Sequence, residues 1–203
     1  TRLPDKMGIP AEELQVLTPT RRGDAGTRSL NFALQAALNP PAPGKKERRF
    51  GELIFREGDR VMQTRNDYDV VWQKEDGTAG TGIFNGDVGR IAKIDASGEL
   101  LEIVFDDRTA VYTADMLAEL DMAYAMTVHK AQGSEYRGVV FVGAPCAPSL
   151  MVRGVLYTAI TRARELLVIV GDDSAVNKMA ENDRRSRRYS GLKWRLRKGG
   201  EDK

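Results

Sequence analysis

Two continuous apolar runs, Gly138-Val-Val-Phe-Val142 and Leu166-Leu-Val-Ile-Val170, most constrain what this chain can fold into. A strand with one wet face alternates apolar and polar residues. A run without alternation belongs to a strand covered on both faces, as in a parallel sheet. The segment from about Ser149 to Arg162 reads as a helix joining the two runs. Strand, helix and strand in that order give a βαβ unit with a right-handed crossover.

Further elements of the same kind lie upstream. Leu14-Gln-Val-Leu-Thr18, stopped by Pro19, reads as a buried strand. From Thr27 onward Leu30, Ala33, Leu34, Ala37 and Leu38 recur at helical spacing, and Asn39-Pro-Pro41 ends that helix because proline cannot continue it. Residues 40–49 read as a connector. Ala123-Tyr-Ala-Met-Thr127 reads as an apolar strand that breaks into a polar turn.

Between about Phe50 and Leu117 the texture differs. Short strand-like runs alternate with the turn signals Gly58-Asp59, Asn85-Gly86-Asp87 and Ser97-Gly98. Leu101, Ile103 and Phe105 alternate with Glu102 and Val104, as in a half-buried strand. This predicts a small all-β module, a barrel of about five strands. Val70 to Gly82 reads as a long hairpin or a mobile loop. The expected organisation is an α/β domain, residues 1–49 and 115–203, interrupted by the all-β module at residues 50–114.

Composition sets bounds. With 203 residues and 41% hydrophobic content the chain can build a core, and a net charge of +2 says little about partners. The distribution says more: eight basic residues and no acidic ones lie between Arg184 and Lys198. That stretch reads either as a surface for DNA phosphates or as a solvated face, with Leu192, Arg195 and Leu196 suggesting a short helix. One cysteine, Cys146, excludes an internal disulfide and fits a reducing compartment, so a cytoplasmic location is expected. No apolar run reaches the length of about 18 residues that a membrane span needs. The start, Thr1-Arg-Leu-Pro-Asp5, has neither an initiator Met nor a signal-peptide pattern, and a fragment of a longer protein is expected.

Some chemistry is absent. The glycine-rich phosphate loop G-x-x-x-x-G-K-[ST] does not occur. Pro43-Gly-Lys-Lys46 has neither the upstream glycine nor the following hydroxyl. Leu101-Glu-Ile-Val-Phe-Asp-Asp107 looks like an apolar strand ending in a magnesium-binding aspartate, but its alternation favours a plain hairpin end. No Cys/His cluster suggests zinc, and no metal site is expected. One histidine and one cysteine leave little room for a nucleophile–base pair. The chain alone is expected to hydrolyse nothing.

Other chemistry is present. Thr127, His129, Lys130, Gln132, Ser134 and Glu135 crowd polar groups where a strand ends, and Gly133 lets the backbone turn tightly or approach a ligand. The same residues also read as a capped helix start, with His129 a structural histidine. Thr158-Ala-Ile-Thr-Arg-Ala-Arg164 puts arginines at a helix end. A planar guanidinium suits phosphate oxygens. The alternative is that Arg162 and Arg164 only complement the helix carboxyl end.

Taken together, the segments resemble a known pattern. The order is Leu17-Thr-Pro-Thr-Arg-Arg-Gly-Asp-Ala-Gly26 with Leu30-Asn31 and Leu38-Asn-Pro40; Gly58-Asp-Arg-Val-Met-Gln-Thr64 and Phe84-Asn-Gly-Asp87; Thr127-Val-His-Lys-Ala-Gln-Gly-Ser-Glu135; and Leu156-Tyr-Thr-Ala-Ile-Thr-Arg-Ala163. This resembles the C-terminal half of a RecD-like DNA helicase of superfamily one. The resemblance implies that the α/β part is the second RecA-like motor domain, a P-loop NTPase-like fold without its own phosphate loop. The inserted module would be an SH3-like barrel.

The resemblance also implies site residues. Arg162 falls on the family's arginine finger, and Arg22 on an earlier motif whose arginine approaches the γ-phosphate, with Arg21 competing for that match. Gln132, Gly133 and Glu135 fall on the motif that couples nucleotide to DNA. Thr127, His129 and Lys130 fall at the single-strand face. ATP and Mg2+ would be bound mainly by an N-terminal RecA-like domain of the same parent chain. Partners would be single-stranded DNA and a duplex unwound in the 5′–3′ direction. Val70 to Gly82 is longer than the family's usual link. Two other readings are a non-catalytic nucleic-acid or protein binding module, and part of an RNA helicase.

Overall fold

The structure, a computed structural model, describes residues 6–184. With strands numbered β1 to β13 along the chain, β1 (Leu14–Thr18), β11 (Ala125–Thr127), β12 (Tyr136–Gly143) and β13 (Ala163–Gly171) form one parallel sheet in the order β11-β1-β12-β13. The two apolar runs pair directly, from Gly138 beside Leu166 to Val142 beside Val170. Helix α2 (Arg153–Ile160) joins them. It is shorter than the sequence suggests. It begins only at Arg153, whose amide donates to the Asn182 carbonyl after α3 (Asp173–Glu181).

One face of this sheet is well covered. Leu17, Val139 and Phe141 pack against Val155, Leu156 and Ala159 of α2, Met179 of α3, and Val128 and Ala131 of the segment after β11. Each such buried Val, Leu, Phe or Met side chain stabilises the fold by roughly 1.5–3 kcal/mol. The opposite face departs from the expectation of strands covered on both sides. Leu14, Val16, Val140 and Val168 are half-buried there, and Val170 is 50% exposed. Among the described residues a cleft of about 880 Å³ lies against this face, lined also by Leu34, Arg60 and Tyr124. The apolar run reports the cover the strands call for, and residues 6–184 supply it on one side.

Helix α1 (Thr27–Leu38) follows β1 and seals the outer edge of β11. The Asn31 amide donates to the carbonyls of Met122 and Ala125 (3.0 and 2.9 Å), and its carbonyl accepts the Ala125 amide (2.7 Å). One side chain thus takes the place of a neighbouring strand at an exposed sheet edge.

The all-β module comprises β2 (Glu47–Phe50), β3 (Leu53–Arg56), β4 (Arg60–Gln63), β5 (Asp67–Gln73), β6 (Ala79–Ile83), β7 (Val88–Ile94), β8 (Leu100–Phe105), β9 (Arg108–Thr113) and β10 (Leu120–Met122). β2 and β3 form a separate hairpin, and the other seven strands make one antiparallel sheet in the order β10-β4-β7-β8-β9-β5-β6. Its core holds Phe55, Ile83, Ile91, Leu101, Ile103, Phe105 and Tyr112.

Strand pairing extends the module from Glu47 to Met122, beyond the expected bounds of 50 and 114, and uses more strands than the five expected. The polar segment 70–82 is the β5–β6 hairpin. Asp106 and Asp107 are the β8–β9 turn, with Asp106 at φ 53°, so this is a hairpin end.

Module and α/β domain are joined through a buried carboxylate. Asp59, fully buried, accepts from Gln35 of α1 and from Asn39 at its carboxyl end (2.6 and 2.7 Å), from the Tyr124 hydroxyl (2.8 Å) and from the Arg56 amide (2.7 Å). Arg60 adds a second tie, donating to the Leu14 carbonyl and to Gln15 Oε1. The cores interlock as well: Met62 of the module packs in the parallel-sheet core, and Leu34 packs against the module core. The basic stretch from Arg185 onward, including Leu192, Arg195 and Leu196, lies outside the described residues.

Candidate functional site

The candidate residues lie along two opposite edges of the parallel sheet. At the carboxyl edge β1 and β11 end side by side, Thr18 beside Thr127, and the Val128 amide donates to the Thr18 carbonyl at 3.0 Å. Two loops leave from here. The first, residues 19–26, is pinned by the Thr18 hydroxyl, which donates to the Ala25 carbonyl at 2.7 Å. It exposes Arg21 and Arg22. Arg21 lies 3.7 Å from Asp121, whereas among the described residues Arg22 has no carboxylate within ion-pair distance.

The second loop runs from Thr127 to Glu135. The Lys130 and Ala131 amides donate back to the Thr127 carbonyl at 2.9 and 3.1 Å, so the chain turns as soon as the strand ends. His129 is exposed on this turn, and the apolar Val128 and Ala131 anchor it in the core. Lys130 Nζ donates to Asn85 Oδ1 of the all-β module at 2.5 Å. The carboxyl edge is thus shared between the two parts of the chain.

The loop then crosses behind β1 to the opposite edge. The Gln132 amide donates to the His129 carbonyl (3.4 Å) and the Ser134 amide to the Ala131 carbonyl (3.2 Å), and Gly133 takes φ 89°. A side chain at Gly133 would meet open space, so the constraint there is backbone conformation, which glycine adopts without strain. Gln132 and Glu135 are exposed. Thr127 is level with Thr18, next to Val142, while Tyr136 begins β12 six residues earlier. At about 3.3 Å per residue the loop therefore spans roughly 20 Å along the sheet.

Arg162 waits at this second edge. It precedes β13, and its carbonyl accepts the Tyr136 amide at 2.9 Å. Its guanidinium donates to the Thr158 carbonyl (3.2 Å), the Ser134 carbonyl (3.0 Å) and Thr161 Oγ1 (3.2 Å). These neutral acceptors orient a half-buried cation and leave its charge uncompensated. Among the described residues no carboxylate lies within ion-pair distance of Arg162. Two of its five N–H groups stay available to a ligand. Arg164 differs: it is spent on Glu135 (3.0 Å), both side chains exposed, a pair worth at most about 1 kcal/mol.

The structure therefore gathers Thr127, His129, Lys130 and Arg22 at one edge, and Gln132, Gly133, Glu135 and Arg162 toward the other. It does not bring Arg22 and Arg162 together: one leaves the carboxyl end of β1, the other precedes the amino end of β13. Residues 127–135 join the two groups along one continuous stretch of backbone between β11 and β12. Sequence reasoning missed three supporting groups: the Ser134 carbonyl on Arg162, Asn85 on Lys130, and the Thr18 hydroxyl under the first loop. Asn85 had a signal, the Asn-Gly-Asp turn, although its reach to Lys130 is a tertiary fact. Among the described residues no group of three or more His, Cys, Asp or Glu is placed to hold a metal ion, and no helix is long and apolar enough to cross a membrane.

Comparison with known proteins gives consistent results over both parts. Residues 30–105 match the SH3 domain family of ATP-dependent RecD-like DNA helicases, and residues 122–170 match the UvrD-like helicase C-terminal domain family. The chain is 38% identical over 174 residues to the ATP-dependent RecD2 DNA helicase of Deinococcus radiodurans, covering 86% of this chain and 22% of that protein. It is 29% identical over 192 residues to the RecBCD enzyme subunit RecD of Mycolicibacterium smegmatis, covering 93% of this chain and 30% of that protein. The chain thus spans less than a third of either relative.

Among solved structures, Bacteroides Pif1 bound to ssDNA shares the fold with TM-score 0.52 and 16% identity, covering 93% of this chain and 46% of that one. The α/β part is accordingly a RecA-like parallel sheet domain interrupted by an SH3-like module. The chain belongs to the RecD-like helicases, as a segment that carries their SH3 domain followed by the UvrD-like helicase C-terminal domain.

Proposed function

We propose that this chain is the second motor half of an ATP-dependent 5′–3′ DNA helicase, supplying the arginine finger and part of the single-strand track. The observation that carries the reading is the span of residues 127–135. One short segment presents Thr127, His129 and Lys130 at the carboxyl edge and holds Arg162 through the Ser134 carbonyl at the other. A motion at either edge is passed to the other through backbone alone.

In this reading ATP and Mg2+ are bound mainly by an N-terminal RecA-like domain that carries the phosphate loop. Closure of the cleft between the two domains brings Arg162 to the γ-phosphate, where its two remaining N–H groups face charge developing in the transition state. Gln132, Gly133 and Glu135 line the same side and report nucleotide state to the turn at Thr127. Thr127, His129, Lys130 and Arg22 hold the strand at the carboxyl edge. In this reading Arg22, which the resemblance sets near the γ-phosphate, is assigned to the strand; it leaves the carboxyl end of β1, whereas Arg162 precedes the amino end of β13. Residues 47–122 are the SH3-like module, and the rest is the RecA-like domain. The parent acts in the cytoplasm. This chain alone hydrolyses no ATP.

The test is Arg162→Ala in the longer helicase that joins this segment to a phosphate-loop domain. Nucleotide binding, read with a fluorescent ATP analogue, stays near normal. DNA-stimulated turnover falls by about 10³–10⁵-fold, as when an arginine finger is removed elsewhere. Turnover within tenfold of the unmodified protein would rule the finger out.

A further inference from the structure

The carboxyl edge continues onto the module through Asn85, and beside Asn85 lies a pair of aromatic rings that the site described above does not use. Tyr68 on β5 and Phe84 after β6 meet edge to face, with ring centroids 5.5 Å apart at 71°. Both are unusually exposed for their size, Tyr68 at 66% and Phe84 at 40%. Phe84 is nevertheless held. Its ring lies over Gly82, where an added Cβ would come within 2.9 Å of the ring. Its amide donates to Asp87 Oδ2 at 3.1 Å. The Asn85 amide donates to Asn66 Oδ1 at 3.0 Å, which ties the Phe84 turn to the start of β5. The Phe84 ring is thus presented to solvent one residue away from the side chain that accepts from Lys130, with the Tyr68 ring packed against it.

Exposed aromatic surface held in place carries a loss that only an occupant recovers. The charges nearby say which part of a nucleic acid fits. The carboxylate that touches the patch is Asp87, whose Oδ2 accepts the Phe84 amide, while Asp67 and Asp69 are only neighbours of Tyr68 along β5. Phosphates are repelled there. Cationic groups, Lys130 and Arg22 with His129 alongside, lie instead at the parallel-sheet edge. A strand whose phosphates follow that edge would turn its bases toward the rings.

We infer that Tyr68 and Phe84 form a base-stacking platform for single-stranded DNA, continuous with the Thr127–Lys130 edge through the Asn85–Lys130 bond. The inference rests on the DNA reading proposed above. Flat π-faces accept any base, so the platform binds without sequence preference. It contributes base contact while Lys130 contributes phosphate contact, and the two are separable. Stacking has little salt dependence. Each phosphate contact on a single strand changes the slope of log affinity against log salt by about 0.7.

The test uses this chain and two fluorescent oligonucleotides of about 12 nucleotides, within the length of about 4–16 that single-strand-binding OB folds cover. One is oligothymidylate and the other is its abasic counterpart with the same phosphates. Anisotropy titration gives affinity for each at several salt concentrations. The unmodified chain prefers the base-bearing strand, and Tyr68→Ala with Phe84→Ala together removes that preference, a loss of roughly 5- to 150-fold per stacked base.

The salt slope is unchanged in that variant. Lys130→Gln weakens both strands alike and lowers the slope by about 0.7. Tyr68→Phe keeps the preference. A double alanine variant that binds with its base preference intact overturns the platform while leaving the DNA reading standing. Binding of neither strand by the unmodified chain overturns both.

Cross-linking to 5-iododeoxyuridine strands gives a readout that needs no variant. Adducts within residues 66–85 support the platform, and adducts confined to other segments overturn it.

Discussion

Replacing Asp59 by alanine tests the claim that one buried carboxylate fastens the SH3-like module to α1. Asp59 accepts from four donors: Gln35, Asn39, Tyr124 and the Arg56 amide. Two of them keep one hydrogen bond through their other N–H, Gln35 to the Ile54 carbonyl and Asn39 to the Glu57 carbonyl, and are not left wholly unpaired. The Tyr124 hydroxyl and the Arg56 amide have Asp59 alone among the described residues. Leaving a buried donor without an acceptor costs about 1–3 kcal/mol, so two such groups give about 2–6 kcal/mol.

Against a total stability of about 5–15 kcal/mol that is a large fraction. In a chain of this size it corresponds to a fall in melting temperature of about 4–24 °C. The assay is urea and thermal unfolding of the unmodified chain, Asp59→Ala, Tyr124→Phe and the double variant. Tyr124→Phe removes one donor and is milder, and the double variant is less destabilised than the two single effects added. A loss below about 0.5 kcal/mol for Asp59→Ala, the range of an ordinary surface change, would refute the reasoning.

Other outcomes follow from single contacts. Asn31→Ala leaves the Ala125 amide unpaired at a sheet edge, which costs about 1–3 kcal/mol; amide exchange at Ala125 speeds up relative to Leu17, and equal protection would refute the edge seal. Gly133→Ala forces a side chain into the left-handed region and destabilises by about 1–2 kcal/mol, read by urea unfolding; no change would mean the turn is not needed as drawn.

Asp95 is held at a pKa of about 2, below its ordinary 3.8, first by the Ser97 hydroxyl and then by the Leu100 amide. Because its folded pKa is depressed, the stabilisation it gives is complete above about pH 4 and is lost as pH falls toward 2. Carboxyl NMR titration checks this. Ser97→Ala raises the midpoint, and an unmoved midpoint would refute the cause. Arg162→Ala, described above, is the corresponding test of chemistry.

Much of this fold was legible because its signals are local. The apolar runs at 138–142 and 166–170 gave paired parallel strands, and Asn39-Pro-Pro41 ended α1 where proline must. The module's texture was equally readable, although its limits were not. Glu47 and Met122 belong to it because they pair with Arg56 and Val61 across the sheet, and nothing in their own sequence announces a partner.

The site divided along the same line. Thr127 and Gly133 show themselves by where a strand breaks and a turn tightens. The Ser134 carbonyl under Arg162 and Asn85 against Lys130 are meetings between segments far apart in sequence. That Arg22 and Arg162 lie at opposite ends of their strands is a matter of strand order, which neither motif spells out.

The loop from Thr127 to Tyr136 has a mechanical consequence. Fully extended, its nine peptide units would reach about 30 Å, well beyond the roughly 20 Å it must cover. The excess is wound into turns closed by the amides of Lys130, Ala131, Gln132 and Ser134. A slack tether would transmit nothing. In the proposed coupling, the stiffness of the link between the two edges resides in those four hydrogen bonds together with the core anchors Val128 and Ala131.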